Sequence, residues 1–312
     1  MKTVVLGDIH GRSCWKNIVA KENADKVVFL GDYVSTHESI SEEEQINNLE
    51  DILNYKEANP DKVILLRGNH DNQGLGYSWA QCSGYFHNVA QYMTEFKDRI
   101  LKDTQWIYID GDIVYSHAGI SQVWLDNCGI TLEEINDKEP SEIFGFVPDS
   151  PFDNYGDSKT QSLTWIRPGA LAQCNIKGYT QVVGHTPVKC IADVYKATKY
   201  HEHLWLCDNL PNEYLVVEDG EFKVVKYDNR IKLPNREGTL YLEKVDDYYK
   251  LVALDKPYIL EYMRVMFDDD KSIKAIDPSG GPFMDIGYKV DNLTLSKIVF
   301  SPDLKLYFDE TN

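Results

Sequence analysis

Short apolar runs recur along the amino-terminal part of the chain, and within two residues of the end of each comes a glycine followed by an acidic or amide side chain. The first three runs are Lys2 to Leu6, Lys26 to Leu30 and Val63 to Leu66, with helical segments between them. Unbroken β-branched and aliphatic runs of this length are typical of strands buried on both faces. The alternation of strand and helix therefore predicts a parallel or mixed α/β sheet with its loops gathered on one side.

The helical segments carry their own boundary patterns. A helix is expected over Ser13 to Lys21, and Ser41-Glu42-Glu43-Glu44 forms a capping box for a helix that Asn59-Pro60 must end. Thr131-Leu132-Glu133-Glu134 repeats the capping-box pattern. The segment from Gly74 to Leu101 is rich in Gly, Tyr and Gln before it turns helical, which favours an insertion or a rim over the core.

A second group of strands follows after residue 105, and Asp-Gly pairs predict hairpins at two places. The predicted strands are Trp106 to Ile109, Ile113 to Ser116, Tyr179 to Val183, Leu204 to Cys207, Tyr214 to Val217 and Phe222 to Tyr227, with turns at Asp110-Gly111 and Asp219-Gly220. Between Pro140 and Ser162 lies a stretch rich in Pro, Gly and Asp, which we interpret as a loop that faces the site.

The composition changes after Tyr227. Asn229 to Asn235 resembles a linker, and the residues from about Glu237 onward alternate as short strands with many tyrosines, plus one helix beginning at Pro257. We therefore expect two domains, at residues 1–228 and 229–312, the second β-rich. Six scattered cysteines form no C-x-x-C pair, so free thiols are expected instead of a zinc site.

Charge and hydropathy exclude several classes of function. The net charge of −18 repels phosphate backbones, which disfavours nonspecific nucleic-acid binding. No apolar run approaches the roughly 18 residues that span a bilayer, and no signal-peptide pattern follows Met1. A cytoplasmic protein without a membrane partner is the expectation, and the sequence does not set its oligomeric state.

Six polar residues lie just beyond the predicted strands, and their chemistry favours metal binding. They are Asp8, His10, Asp32, Asn69, His117 and His185. Carboxylate, amide and imidazole donors of this mix suit two divalent metals, with Asp32 bridging them. A single Gly-Asp or Gly-His pair is more often a simple turn, and only the ordered recurrence makes coincidence a poor explanation.

Five short blocks carry a resemblance to a known family. They are Gly7-Asp8-Ile9-His10-Gly11, Gly31-Asp32-Tyr33-Val34, Arg67-Gly68-Asn69-His70-Asp71, Ser116-His117-Ala118-Gly119 and Gly184-His185-Thr186. In this order they resemble the calcineurin-like metallophosphoesterases over roughly residues 1 to 227. Thr186-Pro187 replaces the Gly-His-x-His ending of the nuclease branches, so the chain looks most like the serine/threonine protein phosphatases and their bacterial and phage relatives, which include dinucleoside tetraphosphate hydrolases.

The resemblance implies an α/β, four-layer metallophosphoesterase fold, a β-sandwich flanked by helices, followed here by the small β-rich C-terminal domain. It implies one metal on Asp8, His10 and Asp32 and the other on Asp32, Asn69, His117 and His185. Mn is the expected metal, with Fe, Zn, Ni and Mg as alternatives. His70 matches the general acid, Arg67 and Arg167 match phosphate-binding arginines, and Arg12 is a weaker candidate.

The second block departs from the family pattern. The family continues after Val with Asp-Arg-Gly, where Asp orients the acid His and Arg binds phosphate, but this chain has Ser35-Thr36-His37. Either His37, Glu38 or Asp71 replaces the orienting carboxylate, or the acid is weaker and the enzyme prefers good leaving groups.

The expected function is that of a serine/threonine-phosphatase-like phosphomonoesterase in which a metal-bridging hydroxide attacks phosphorus. Its substrate would be a phosphorylated protein or a small nucleotide. Hydrolysis of dinucleoside polyphosphates is the alternative, and a non-catalytic scaffold is disfavoured because all six metal-type residues are present. His201-Glu202-His203 invites a metal interpretation, but its polar surroundings favour a solvated loop.

Overall fold

The structure, a computed structural model, describes residues 1–38, 40–77, 82–84, 87–140, 156–193 and 203–228, together with six strands beyond residue 230. By the packing of its backbone the chain divides into two compact units, Met1–Tyr227 and Asp228–Asn312.

The first unit contains eleven strands within the described residues. In chain order they are β1 (Lys2–Leu6), β2 (Lys26–Phe29), β3 (Val63–Leu66), β4 (Thr104–Gln105), β5 (Ile107–Asp110), β6 (Ile113–Ser116), β7 (Thr180–Val183), β8 (Ala192–Asp193), β9 (Leu204–Leu206), β10 (Glu213–Glu218) and β11 (Glu221–Lys226). They form a six-stranded sheet in the order β11-β10-β1-β2-β3-β4 and a five-stranded sheet in the order β5-β6-β7-β9-β8.

Both sheets are mixed, and the strands that carry the family blocks are parallel. β1, β2, β3 and β4 run parallel to one another, whereas β10 pairs antiparallel with β1 and with β11. In the second sheet β6, β7 and β9 run parallel, while β5 and β8 are antiparallel edge strands. The carboxyl ends of β1, β2 and β3 therefore lie along one edge of the first sheet, and those of β6, β7 and β9 along one edge of the second.

The described helices of the first unit are α1 (Cys14–Glu22), α2 (Glu42–Ala58), α3 (Asn69–Gly74), α4 (His87–Glu95), α5 (Lys97–Asp103), α6 (Gln122–Cys128) and α7 (Pro168–Leu171). The Ser41 capping box is confirmed, because the Ser41 hydroxyl accepts from the Glu44 N–H while the Glu44 carboxylate accepts from the Ser41 N–H. At Thr131 only half of the box forms. The Glu134 carboxylate accepts from the Thr131 N–H at 2.7 Å, and only a 3-10 helix, Ile135–Asp137, follows.

Alternating side chains of the parallel strands divide the core into layers. Val4 and Leu6 of β1 pack with the helices on one face of the first sheet, whereas Val5 packs into a core shared with the second sheet. Tyr115 and Val182 contribute to that shared core from β6 and β7. This arrangement is a β-sandwich with helices outside it, as the resemblance implies.

The segment from Gly74 to Leu101 corrects one expectation. Val89 and Met93 of α4 are 1% and 0% exposed and belong to the core beneath the first sheet. The segment therefore contributes to the core through one apolar helix face, although its polar composition favoured a rim. The loop predicted between Pro140 and Ser162 falls mostly on residues 141–155, which lie outside the described residues.

The described residues of the second unit form a sheet whose consecutive strands pair antiparallel. Its strands are β12 (Ile231–Lys232), β13 (Leu240–Val245), β14 (Tyr248–Ala253), β15 (Arg264–Phe267), β16 (Ile273–Ile276) and β17 (Met284–Asp285). The helix predicted at Pro257 lies outside the described residues. No helix in the described part of the chain has both the length and the apolar character needed to cross a membrane.

Candidate metal centre

The polar residues that follow the strands converge on one cavity of about 1020 Å³. Its wall includes Asp8, His10, Asp32, Asn69 and His185. His117 lies behind this wall and is 0% exposed. All six metal-type residues of the sequence are therefore brought together where the strands end.

The backbone around these residues is unusual in two ways. His10, Asp32 and His185 have φ of 46°, 51° and 64°, a left-handed conformation that costs a non-glycine residue about 1 kcal/mol. Gly68 is needed for close approach, since a Cβ there would collide with the Asp32 carboxylate. Gly184 has the same relation to Asp8. These two glycines thus let neighbouring loops approach closely enough to form one site.

Two histidines present bare ring nitrogens to the same oxygen. The Nδ1–H of His117 donates to the Leu30 carbonyl at 2.8 Å, and the Nε2–H of His185 donates to the Trp165 carbonyl at 3.2 Å. A carbonyl oxygen only accepts, so these bonds fix the tautomers. Burial lowers the pKa of His117 to about 3 and that of His185 well below its ordinary value, so both rings are neutral.

The remaining nitrogens then face acceptors. His117 Nε2 lies 2.8 Å from Asn69 Oδ1 and 3.4 Å from Asp32 Oδ2, and His185 Nδ1 lies 3.0 Å from Asn69 Oδ1. These lone pairs repel one another unless a cation lies among them. The donor set fits a divalent ion, and the bonds to backbone carbonyls orient the rings as they do in metal sites.

A second group of donors shares Asp32 with the first. Asp8 Oδ2 lies 3.8 Å from His10 Nε2, and His70 Nε2 lies 3.8 Å from Asp32 Oδ2. His10 Nδ1 is 3.3 Å from the Val34 carbonyl, which leaves Nε2 bare in the neutral ring. One nitrogen each of His10 and His70 and one Asp32 oxygen lie within 4.8 Å of one another. Asp32 thus belongs to both groups.

Burial perturbs the ionisation of every member of this second group. It raises the pKa of Asp8, with the nearby Asp208 charge as a further cause, and it raises the pKa of Asp32, where Asp8 adds to the effect. Burial also lowers the pKa of His10 to about 4. Buried carboxylates with neutral imidazoles lack a countercharge, which a pair of divalent cations would supply.

The three candidate arginines lie in different places. Arg167 lines the cavity, and its Nη1 donates to the His185 carbonyl and to the Thr186 hydroxyl, both at 3.0 Å. Arg12 also lines the cavity. Arg67 is 4% exposed and does not reach the described cavity wall.

Arg67 is held instead by residues that follow α5. Its Nε donates to the Thr104 hydroxyl at 3.0 Å, and its guanidinium carbon lies 4.4 Å from the centre of the Trp106 ring. The sequence expectation that Arg67 binds phosphate is therefore not matched by where its side chain lies. The geometry is that of a buried arginine that packs the end of β3 against the neighbouring strand.

None of the proposed replacements orients His70 within the described residues. The Asp71 carboxylate accepts from the N–H groups of Asp32, Tyr33 and Gly68 at 2.8, 2.9 and 2.8 Å. Glu38 accepts from Arg12. The buried His70 Nδ1 has no hydrogen-bond partner in the described part of the chain. His37 lines the cavity, but no hydrogen bond joins it to His70 there.

Among the cavity-wall residues that the sequence analysis did not single out, Asp208 and Cys82 lie beside predicted site residues. Asp208 follows β9, is 7% exposed, and has its pKa raised to about 6 by burial. Because an apolar strand ending in a polar residue marked every other block, the same pattern at Leu204 to Cys207 could have found it. Cys82 accepts from the Asn69 amide nitrogen at 3.1 Å, and no sequence pattern marks it.

The tripeptide at 201–203 is only partly described. His201 and Glu202 lie outside the described residues. His203 Nδ1 lies 2.6 Å from Asp193 Oδ2 and half of its side chain is exposed. The interpretation of residues 201–203 as a solvated loop therefore stays a prediction.

Comparison with known proteins places this architecture. Among solved structures, a point mutant of a cold-active protein tyrosine phosphatase shares 19% identity at a TM-score of 0.51, over 73% of this chain and 78% of that chain. A cold-active protein-tyrosine phosphatase of a psychrophilic Shewanella species shares 17% identity at a TM-score of 0.49, over 73% of this chain and 78% of that chain. A protein serine/threonine phosphatase from Saccharomyces cerevisiae shares 14% identity at a TM-score of 0.48, over 73% of this chain and 80% of that chain. The first of these supports the fold.

No curated protein matches the chain. The family model described as calcineurin-like phosphoesterase matches residues 1–189, which is more than half of the 312 residues. The five blocks, the sandwich and the clustered donors agree with that match. The chain belongs to the calcineurin-like phosphoesterases, a family of metal-dependent phosphoester hydrolases.

Proposed function

We propose that this chain is a dinuclear-metal phosphomonoesterase of the serine/threonine phosphatase kind. The observation that carries the proposal is the convergence of two bare imidazole nitrogens, from His117 and His185, on the Asn69 side-chain oxygen. Burying three acceptors against one another is unfavourable in the absence of a cation. The arrangement is therefore best explained as one half of a metal site.

The proposed ligands follow the two groups. Asp8, His10 and Asp32 would hold one ion, and Asp32, Asn69, His117 and His185 the other. When bound, such a pair of cations supplies an activated hydroxide near neutral pH and neutralises charge on the phosphoryl group. We propose Mn, with Fe, Zn, Ni and Mg as alternatives that the oxygen and nitrogen donors also suit.

His70 is the proposed general acid. Burial lowers its pKa well below the ordinary value, with His10 as the next cause, so the free enzyme holds it neutral. An anionic phosphoryl group beside the ring favours the protonated form, so substrate binding itself would promote protonation of His70. His70 Nε2 would then give its proton to the leaving oxygen.

Arg167 is the proposed phosphoryl-binding arginine. Two of its contacts, to the His185 carbonyl and the Thr186 hydroxyl, fix the guanidinium at the cavity wall beside a proposed ligand. A guanidinium held in place offers paired N–H groups to phosphoryl oxygens. Arg67 is assigned a packing role instead.

One observation favours a second candidate function, hydrolysis of dinucleoside polyphosphates. His70 Nδ1 has no acceptor among the described residues. No hydrogen bond from Nδ1–H to a described residue therefore stabilises the protonated ring. A weak acid penalises alkoxide leaving groups more than nucleoside phosphates, which leave with less protonation. The cavity of about 1020 Å³ is large enough for a nucleotide as well as for a phosphorylated side chain.

A metal analysis combined with a substrate panel tests both candidates. The full chain is assayed with a phosphopeptide, p-nitrophenyl phosphate and diadenosine tetraphosphate, before chelation, after chelation and after Mn²⁺ is restored. We expect two ions per chain, loss of phosphate release on chelation and recovery with Mn²⁺. Faster turnover of the phosphopeptide supports the phosphomonoesterase, faster turnover of diadenosine tetraphosphate supports the alternative, and undiminished turnover after complete chelation contradicts both.

A further inference from the structure

We propose that Arg12, held in place by Glu38, is a second phosphoryl-binding arginine of this cavity. The inference rests on the proposed function, because it assigns a substrate contact at the same site. It concerns two side chains that lie just outside the five family blocks.

The Arg12 guanidinium is anchored on one side and open on the other. Its Nε and Nη2 donate to Glu38 Oε1 at 2.9 and 2.7 Å, and its Nη1 donates to the Asp8 carbonyl at 3.1 Å. These bonds use three of the five N–H groups that a guanidinium carries. One N–H on each terminal nitrogen has no partner among the described residues, and the side chain lines the cavity.

The departure at Ser35-Thr36 helps to build this anchor. The Thr36 hydroxyl accepts from the backbone N–H of Glu38 at 3.0 Å. This local turn fixes the position of the Glu38 backbone, from which its side chain extends. Glu38 then reaches Arg12, which stands two residues after the proposed ligand His10. The loop without the family arginine thus positions the arginine that directly follows the first block.

The surroundings distinguish Arg12 from an ordinary surface ion pair. Its side chain is 16% exposed, compared with 47% for Glu38, so the cation is the buried partner. Burial raises the pKa of Asp208 to about 6, and the charges of Arg12 and Arg167 are the two causes that oppose the rise. Both arginines therefore act on the same part of the cavity, where an anionic group would feel both charges.

Binding of inorganic phosphate to the full-length, Mn²⁺-loaded chain tests the assignment without turnover. Titration calorimetry compares the wild type with Arg12→Ala. The matched control is Arg99→Ala, because Arg99 Nε donates to Glu57 Oε1 at 3.0 Å in an exposed pair of the same type. We expect Arg12→Ala to weaken phosphate binding about 10- to 100-fold and Arg99→Ala to leave it within about twofold.

Kinetics with p-nitrophenyl phosphate add a readout that a structural role would not move. We expect Arg12→Ala to raise KM and lower kcat/KM by about the same 10- to 100-fold factor. Glu38→Gln keeps an accepting oxygen but loses the charge, so about a threefold effect in the same direction is expected. If Arg12→Ala does not fold, Arg12→Lys, which keeps the charge but not the fork, takes its place with an expected loss of about fivefold.

The outcomes separate the two proposals. Phosphate affinity of the Arg12 variant within about twofold of the wild type would overturn the inference, whatever the turnover. Wild-type protein that binds phosphate through Arg12 but releases none from any substrate would overturn the proposed function and leave the inference standing.

Discussion

The two halves of the donor cluster are built differently. The half formed by Asn69, His117 and His185 draws on both sheets, is at most 6% exposed, and has interatomic distances of 2.8 to 3.0 Å. The half formed by Asp8 and His10 draws on the end of β1 alone, and the His10 side chain is 19% exposed with its nitrogen 3.8 Å from Asp8. Only Asp32 takes part in both.

This difference indicates that the two halves of the cluster have different roles. The buried half is fixed by backbone carbonyls that hold each ring, so it acts as part of the core. The other half, called the exposed half after its partly exposed His10 side chain, lies beside Arg12, whose Nη1 donates to the Asp8 carbonyl, so it is placed to meet the substrate. Five substitutions test whether the halves are distinct in this way, from the largest expected effect to the smallest.

Asp32→Asn tests whether the halves depend on one shared ligand. Losing the charge of the common carboxylate should release both ions and lower phosphate release by at least about 10³-fold. Metal analysis and turnover of p-nitrophenyl phosphate measure the effect, with the exposed Asp51→Asn as control. Two retained ions with full turnover would show that Asp32 bridges nothing.

His70→Asn tests whether His70 is an acid or a further ligand of the exposed half, since it shares a group with His10 and Asp32. As an acid its loss should lower kcat about 10²-fold, less for p-nitrophenyl phosphate than for a phosphopeptide, with two ions still bound. Metal content measured beside kcat separates the roles. One missing ion per chain would assign His70 to the ligands.

His117→Ala and His10→Ala compare the two halves directly. Removing the fully buried His117 leaves a cavity and an unpaired Leu30 carbonyl, so we expect about 3 kcal/mol lower free energy of unfolding in the chelated protein. His10→Ala should lower the free energy of unfolding by only about 1 kcal/mol, because the His10 ring is partly exposed. Denaturant unfolding measures both, and equal costs would show that the halves do not differ in burial energetics.

Asp208→Asn tests the charge beside the exposed half. Burial raises the pKa of Asp208 to about 6, so between pH 4 and 6 the folded chain holds a proton that the unfolded chain releases. This contribution favours the fold at low pH and is lost as the pH rises through 6. In chelated protein, the free energy of unfolding of the variant should therefore rise relative to that of the wild type by on the order of 2 kcal/mol between pH 4 and pH 7. A pH-independent difference between their unfolding free energies would contradict the raised pKa.

Much of the site followed from one simple rule, a polar residue after an apolar strand. The rule works because parallel strands of both sheets end near each other, so local sequence reports on distant neighbours. Asp208 obeys the rule as well as Asp8 does, and was overlooked because no family block marks β9.

Side-chain direction could not be predicted in the same way. Arg67 and Arg167 are both arginines beside site residues, but Arg67 turns to Thr104 and Trp106, which lie more than 35 residues away in the chain. The role of α4 depended on which of its faces meets the first sheet. These outcomes are set by packing between distant segments, which local patterns do not encode.

The buried half spans the two sheets that share this core, since Asn69 follows a strand of one sheet and His117 and His185 follow strands of the other. An ion bound there would act as a cross-link between the sheets, comparable in effect to a disulfide that closes a long loop. Resistance to heat would then rise with the logarithm of free metal concentration. Docking of the sheets would also have to precede metal capture during folding.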